Sequence, residues 1–359
     1  MTGKRAIFHI GMHKTGTTVL QSALQGYDDG RVRYADLGEQ NHSVPFATMF
    51  WAAPEQHREH RDRRHSDRQV RRFRKHYLER LEREVEKTKD TLLFSGESLW
   101  YTNVEALSRL KAHFDRYFDR YKVVCYVRDP LSFANSSFSE RLKGRRRDFL
   151  IRIPKYRDHL LRHSEVFGPE ALSVFEYARE RFEGGSVVND FARKLGLDAP
   201  LNAATEKNAS LSLEAMQILF ALNNSRLADL PDDVQRYVSD RFRAALGGFG
   251  KGRFSFDPAQ VAAATDAEQT QWLLDRFGID FTRPGRTSTP ACSEAEFRSI
   301  APETIFALQS RLTEAGLVAG DESGLAQILD RATARLTSHF RAPRRRFRRW
   351  LRRRQAVLT

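Results

Sequence analysis

Four short apolar runs, each followed by a stretch of helical period, fill the first 210 residues of the chain. "RAIFHIG" begins at Arg5, "TLLFSGES" at Thr91, "YKVVCYVRDP" at Tyr121 and "ALSVFEYA" at Ala171. Runs apolar on both faces suit strands buried on both sides. Strands that alternate with helices suit a parallel sheet with helices packed on each face. The spacing predicts helices over 17–26, 68–87, 104–118, 131–144 and 186–197, with Gly26 as the stop of the first. The second of these presents Val70, Phe73, Tyr77, Leu81 and Val85 on one face. The expected fold is α/β: three layers, α/β/α, around a central parallel sheet, with a C-terminal helical extension.

After "EKNASLS" the strand signal fades, and residues 211–335 read as mainly helical, with the Gly-rich loop "ALGGFGKGRFSFDP" between two helices. No Pro/Ser linker separates the halves. The expectation is one domain over 1–335, with an α/β core over 1–210, a helical extension over 211–335 and a separate tail over 336–359. At 359 residues the chain is long enough to bury a sizeable core. Two cysteines, Cys125 and Cys292, make no disulfide framework and fit a reducing compartment. The apolar stretch near the N-terminus is too short for a secretory signal, and no window reaches the ~18 apolar residues of a spanning helix. These features predict a cytoplasmic protein.

Charge is unevenly placed. Of the net +14, nine charges come from the nine arginines of "RAPRRRFRRWLRRR", residues 341–354, which hold no acid. Phe340, Phe347 and Leu351 fall at helical spacing with Trp350 beside them. That pattern describes either a solvated tail or an amphipathic helix in peripheral contact with an anionic membrane through residues 340–354, at the inner membrane face. No helix-turn-helix, zinc-finger or RNP signature supports a nucleic-acid partner.

The loop after the first apolar run carries the chemistry. "GMHKTGTT", Gly11 to Thr18, sits where a strand hands over to a helix. The carboxyl ends of the strands are where open α/β sheets bind ligands, and a helix N-terminus there favours an anion. Gly16 permits close backbone approach, Thr15, Thr17 and Thr18 supply hydroxyls, and Lys14 supplies a full positive charge. The order differs from G-x-x-x-x-G-K-[ST], because Lys14 precedes Gly16.

This stretch resembles the 5′-phosphosulfate-binding loop of the sulfotransferases that use 3′-phosphoadenosine 5′-phosphosulfate (PAPS), commonly P-K-[ST]-G-T-T, and in many bacterial members H-I-G-x-x-K-T-G-T-T. The resemblance implies a P-loop NTPase-like sulfotransferase fold and an arginine closing a later strand, with a serine eight positions on. "VVCYVRDPLSFANSSF" supplies Arg128 and Ser136 at that spacing. The likeness is strongest over 6–26 and 121–140, weaker at "SVFEY" and "VVNDFARKLGL", suggestive at "KNASLSLEAM", and says little beyond about residue 225.

It implies sulfuryl transfer from PAPS to an acceptor hydroxyl, with adenosine 3′,5′-bisphosphate (PAP) as product and no metal. Lys14, Thr15, Gly16, Thr17 and Thr18 would hold the 5′ end of the donor, and Arg128 and Ser136 the 3′-phosphate. Lys14 would bind the leaving phosphate's charge. The base would be Glu97 in "LLFSGESLW", by analogy with a glutamate of carbohydrate sulfotransferases, or His42 in "NHSVPF", by analogy with an acceptor-side loop. His9 is expected to be structural and His13 to line the loop. Tyr177 either touches the adenine or belongs to the core.

The acceptor is expected to be a sugar or other hydroxyl. The basic stretches 57–76 and 141–147 either line a cleft for an acidic glycan or form solvated helix faces. Two other classes remain open. A nucleotide-dependent kinase or phosphotransferase would use Asp129 on Mg²⁺, against the position of Lys14 and the intervening arginine. A non-catalytic polyanion- or membrane-binding protein would act through the arginine tail. The chain contains no C-x-x-C, H-E-x-x-H, EF-hand or G-x-S-x-G motif.

Overall fold

A computed structural model describes residues 3–198, 201, 211–281 and 289–338. The arginine tail of residues 341–354, with its membrane-facing pattern, and the whole of "KNAS" lie outside the described residues. The chain divides into two compact units, one of residues 1–133, 153–208 and 262–285, the other of 134–152, 209–261 and 286–359.

In the first unit the order is β1 (Arg5–His9), α1 (Thr17–Leu24), β2 (Val32–Tyr34), α2 (Ser43–Phe50), α3 (Arg58–Asp62), α4 (Asp67–Lys87), β3 (Thr91–Ser95), α5 (Ser98–Tyr101), α6 (Val104–Phe114) and β4 (Arg120–Val127). Helix α7 (Pro130–Lys143) follows, and within it the second unit begins. The first unit resumes with α8 (Tyr156–Phe167), β5 (Leu172–Glu176) and α9 (Val187–Leu195).

The five strands form one sheet in the order β2-β3-β1-β4-β5, and every pairing is parallel. Alternate side chains leave each strand on opposite faces, so a strand with both faces buried must be apolar throughout. Ala6, Phe8, Leu92, Phe94, Val123 and Cys125 join one layer, and Ile7, Leu93, Val124 and Tyr126 the other. Over the first layer pack Tyr77, Leu81 and Val85 of α4, Leu107, Leu110 and Phe114 of α6, and Leu160 of α8. Over the second pack Leu20, Ala23 and Leu24 of α1 and Phe191 of α9. The fold is the expected three-layer α/β/α arrangement with a parallel sheet, with further helices towards the C-terminus.

The apolar face foreseen for α4 is the face that packs: Val70, Tyr77, Leu81 and Val85 are buried, with Phe73 half-buried. A capping box between Ser66 and Gln69 starts it one residue earlier than expected. Five elements of the first unit escaped the periodicity: β2, α2, α8 and the short helices α3 and α5. Strand β2 has only three residues. Helix α2, "SVPFATMF", buries seven of its eight residues, so it shows no polar face, and Pro45 in its first turn looks like a loop signal. In α8 the buried stripe runs through His163, which reads as polar.

The second unit has a helical core of its own. Phe138, Phe149, Phe254, Phe256 and Phe297 pack edge-on or tilted, with centroids 4.9–6.1 Å apart. No helix among the described residues is long and apolar enough to cross a membrane.

Burial fixes three histidines of the first unit in the neutral form. Enclosure draws His9, His42 and His163 from an ordinary value of 6.5 down to about 4, against smaller opposing pulls from Glu97, from Asp36 and Glu84, and from the Leu99 carbonyl. Between pH 6.5 and 4 the unfolded chain therefore binds protons that the folded chain refuses. Stability from these groups is complete above 6.5 and falls as the pH drops towards 4. Urea unfolding across that range should show a midpoint that decreases with acidity, and His163→Gln should flatten the dependence.

Candidate active site

From β1 the chain runs out to β2 on one side of the sheet and back to β3, while β4 and β5 lie on the other side. The carboxyl ends of β1 and β4 thus adjoin where the strand order reverses, the place where doubly wound sheets hold ligands. The β1 loop and Arg128 emerge there. Two backbone bonds continue the ladder into the rim, from Ile10 N–H to Val124 O (2.9 Å) and from Gly96 N–H to His9 O (3.1 Å).

The loop is tightly wound. Lys14 and Gly16 both take left-handed φ, 70° and 73°. The Thr15 hydroxyl, fully buried, donates to Met12 O at 2.7 Å and so closes the turn. A Cβ on Gly11 would lie 2.2 Å from Cγ2 of Thr17 and 3.2 Å from Cγ of Glu97; one on Gly16 would lie 3.0 Å from Cγ1 of Val187 and 3.5 Å from the Tyr177 ring. Helix α1 starts at Thr17 with no side-chain cap and no acid in its first turn. Its leading amides and the positive end of its dipole therefore face outward, beside Lys14.

Arg128 ties this loop to the fourth strand. Its Nη1 donates to Lys14 O at 3.0 Å and its Nε to Ser132 Oγ at 2.6 Å. The guanidinium lies 5.6 Å from the centre of the Tyr177 ring. Burial lowers it from its ordinary value, against the opposing pull of Tyr177 and Asp129, yet a guanidinium stays charged in proteins. Ser132 is thus the hydroxyl on Arg128. The expected Ser136 is half-buried one turn further along α7. Asp129 caps that helix, accepting from Ser132 N–H at 2.9 Å, which engages the carboxylate that a kinase reading would place on a metal. No group of three or more metal-binding side chains occurs among the described residues.

Glu97 follows β3 and occupies the N-cap position of α5. Its Oε1 accepts from the Thr17 hydroxyl, and its Oε2 lies 3.3 Å from His13 Nδ1. Burial pushes the carboxyl up, but the hydrogen bonds from His13 and Thr17 hold it below the usual carboxylate range. The His13 ring rests 5.2 Å from that of Tyr101, itself 46% exposed and 5.3 Å from His159.

The structure thus gathers Lys14, Gly16, Thr17, Glu97 and Arg128 around one loop, with Thr18 exposed at the helix start. The Thr15 hydroxyl turns inward to Met12, so what it offers a ligand is its backbone. His42 stands apart: fully buried, it accepts the Ser95 N–H at Nδ1 (3.2 Å) and stacks on Tyr34 (4.8 Å). A base must reach the proton that it takes, and an enclosed ring does not. His13 and Ser132 are the residues that sequence reasoning undervalued. The neighbour of each is settled by folding, though His13 already stood inside the motif.

A sulfotransferase from Alicyclobacillus acidocaldarius aligns with the chain at 19% identity and a TM-score of 0.36, over 60% of this chain and 91% of that one. So remote a likeness says nothing of activity. No protein-family model matches the chain, and no curated protein matches it at significance.

Gly11→Ala should overpack the loop against Thr17 and cost about 1–3 kcal/mol in urea unfolding. Adding Thr17→Ser removes the clashing methyl, keeps the hydroxyl on Glu97, and should recover most of that loss.

Proposed function

We propose that the chain transfers a sulfuryl group from PAPS to an acceptor hydroxyl, on a carbohydrate or glycolipid. The observation that carries the reading is the junction of the β1 loop with Arg128 at the reversal of strand order, closed by the bond from Arg128 Nη1 to Lys14 O at 3.0 Å. PAPS has two separated anionic ends, and this junction offers two cationic side chains, Lys14 and Arg128. Lys14 and the α1 amides suit the phosphosulfate. Arg128 suits the 3′-phosphate, because only two of its five N–H donors reach protein acceptors among the described residues.

Three tasks then divide among these residues. Lys14 and the helix N-terminus stabilise charge that develops on the phosphate as the bond from sulfur to its bridging oxygen breaks. Arg128 and its serine neighbours on α7 keep the nucleotide in line. The hydroxyl's proton falls to the Glu97–His13 pair beside the loop. The half-exposed Tyr101 gives a sugar ring a flat apolar face next to that pair.

Titration calorimetry with PAP, ATP and ADP on the full chain tests the reading. PAP should bind at least tenfold more tightly than either, with no need for magnesium. Lys14→Ala should lower turnover of PAPS by about 10²–10³-fold, and Arg128→Ala should chiefly weaken PAP binding. Preference for ATP with magnesium, or full turnover in either variant, would overturn it.

A further inference from the structure

The resemblance pointed to Glu97 as the base, but its surroundings suit a different task. Both oxygens are engaged, one by the Thr17 hydroxyl and the other by His13 Nδ1 at 3.3 Å. A carboxylate held this way gives up basicity, as the lowered Glu97 carboxyl shows. It gains the ability to orient a neighbour. When a carboxylate accepts the Nδ1–H of an imidazole, it fixes the tautomer and leaves Nε2 with a lone pair. The exposures agree with this order, since the His13 side chain is 49% exposed and that of Glu97 24%. The acceptor side of the pair is therefore His13.

The rest of the ring's surroundings support it. Tyr101 of α5 packs at 5.2 Å, and His159 of α8 packs behind Tyr101 at 5.3 Å. The charged and titratable groups around His13 are Glu97 and Tyr101 across the loop, Lys14 beside it in the chain, and His159 beyond Tyr101. His9 is fully buried at the end of β1, with Nδ1 on Ser95 Oγ at 2.8 Å, so it cannot reach an acceptor.

We infer that His13 Nε2 is the catalytic base and that Glu97 is its positioning residue, an assignment that rests on the sulfuryl-transfer reading above. In the step, the acceptor's hydroxyl oxygen forms a bond to sulfur. The bond from sulfur to the bridging phosphate oxygen breaks, and its electron pair leaves with PAP. The hydroxyl proton passes to His13 Nε2, and the imidazolium is balanced by the Glu97 carboxylate. Because the ring is half exposed, the proton is then lost to water and the cycle closes with no oxidant or metal.

Three measurements on the full chain decide it. Calorimetry with PAP reads donor binding. Sulfate release from PAPS, with water as the acceptor, reads turnover against pH. Nitrogen NMR of the histidines in the PAP complex reads the His13 tautomer without any activity. His13→Asn keeps a donor towards Glu97 and removes only Nε2. It should bind PAP within about twofold of the parent, lose 10²–10⁴-fold in turnover, and lack the limb of the pH profile that rises with pH in the parent. Glu97→Gln should fall about tenfold and disturb the tautomer, and Glu97→Asp should restore most of the rate. The NMR should show a proton on Nδ1 and none on Nε2. Unchanged turnover or an unchanged rising limb in His13→Asn, or an Nε2–H tautomer in the parent, overturns the assignment while leaving sulfuryl transfer standing. Failure of the parent to bind PAP overturns the sulfuryl reading, and this assignment with it.

Discussion

Strand β1 is paired along its whole length on both sides, to β3 and to β4. A central parallel strand has no spare backbone donors or acceptors, so chemistry can start only where the ladder ends. It ends at the bonds of His9 O and Ile10 N–H to β3 and β4. The three strands are latched together at their carboxyl rim, and each delivers one charged side chain within a few residues of the latch. β1 leads to Lys14, β3 to Glu97 and β4 to Arg128. Residues 80 or more positions apart in sequence meet because the ladder leaves the chain no other register.

The loop beyond the latch is costly to hold. A left-handed conformation at Lys14 costs on the order of 1–2 kcal/mol relative to the right-handed one, and the packing of Thr17 against Gly11 leaves no room for relaxation. Two hydrogen bonds offset this from opposite sides: Thr15 to Met12 O within the turn, and Arg128 to Lys14 O from the neighbouring strand. Arg128, proposed above to anchor the 3′-phosphate, is thus also the residue that holds the loop in shape. On that proposal binding and loop geometry would be coupled through one guanidinium, whose fork can serve a backbone oxygen and a phosphate together.

Periodicity and turn chemistry made the sheet legible. The doubly buried strands are apolar in both registers, and Phe8 or Val124 could not face water. Lys14 was legible from its place in the loop after such a strand, and Arg128 through the resemblance. Short or uniformly buried elements were not, since three residues of β2 or an almost wholly buried α2 carry no period. At the site, side-chain identity was readable and side-chain partnership was not. Ser136 has the spacing of the motif, yet Ser132 lies one turn nearer and takes the Nε of Arg128. His42 stands in a polar loop sequence, "NHSVPF", but that loop folds under Tyr34 and is sealed. Loop residues acquire their neighbours from the ladder, over separations that no local pattern records.

On the sulfuryl-transfer proposal, an acid beside the β1 loop needs a physical justification, because a bare carboxylate next to a sulfonate would repel it. At Glu97 the repulsion is met locally. Thr17 and His13 both hydrogen-bond the carboxylate, and its charge gains a partner when the imidazole takes up a proton. His9 cannot be that partner, because enclosure draws it down to about 4 despite the pull of Glu97. The compensating charge must then arise on His13, the exposed member of the pair. In the proposed step such an arrangement is close to neutral after the proton has moved and carries a net negative charge before it, so its electrostatics would favour the moment of transfer over the resting state.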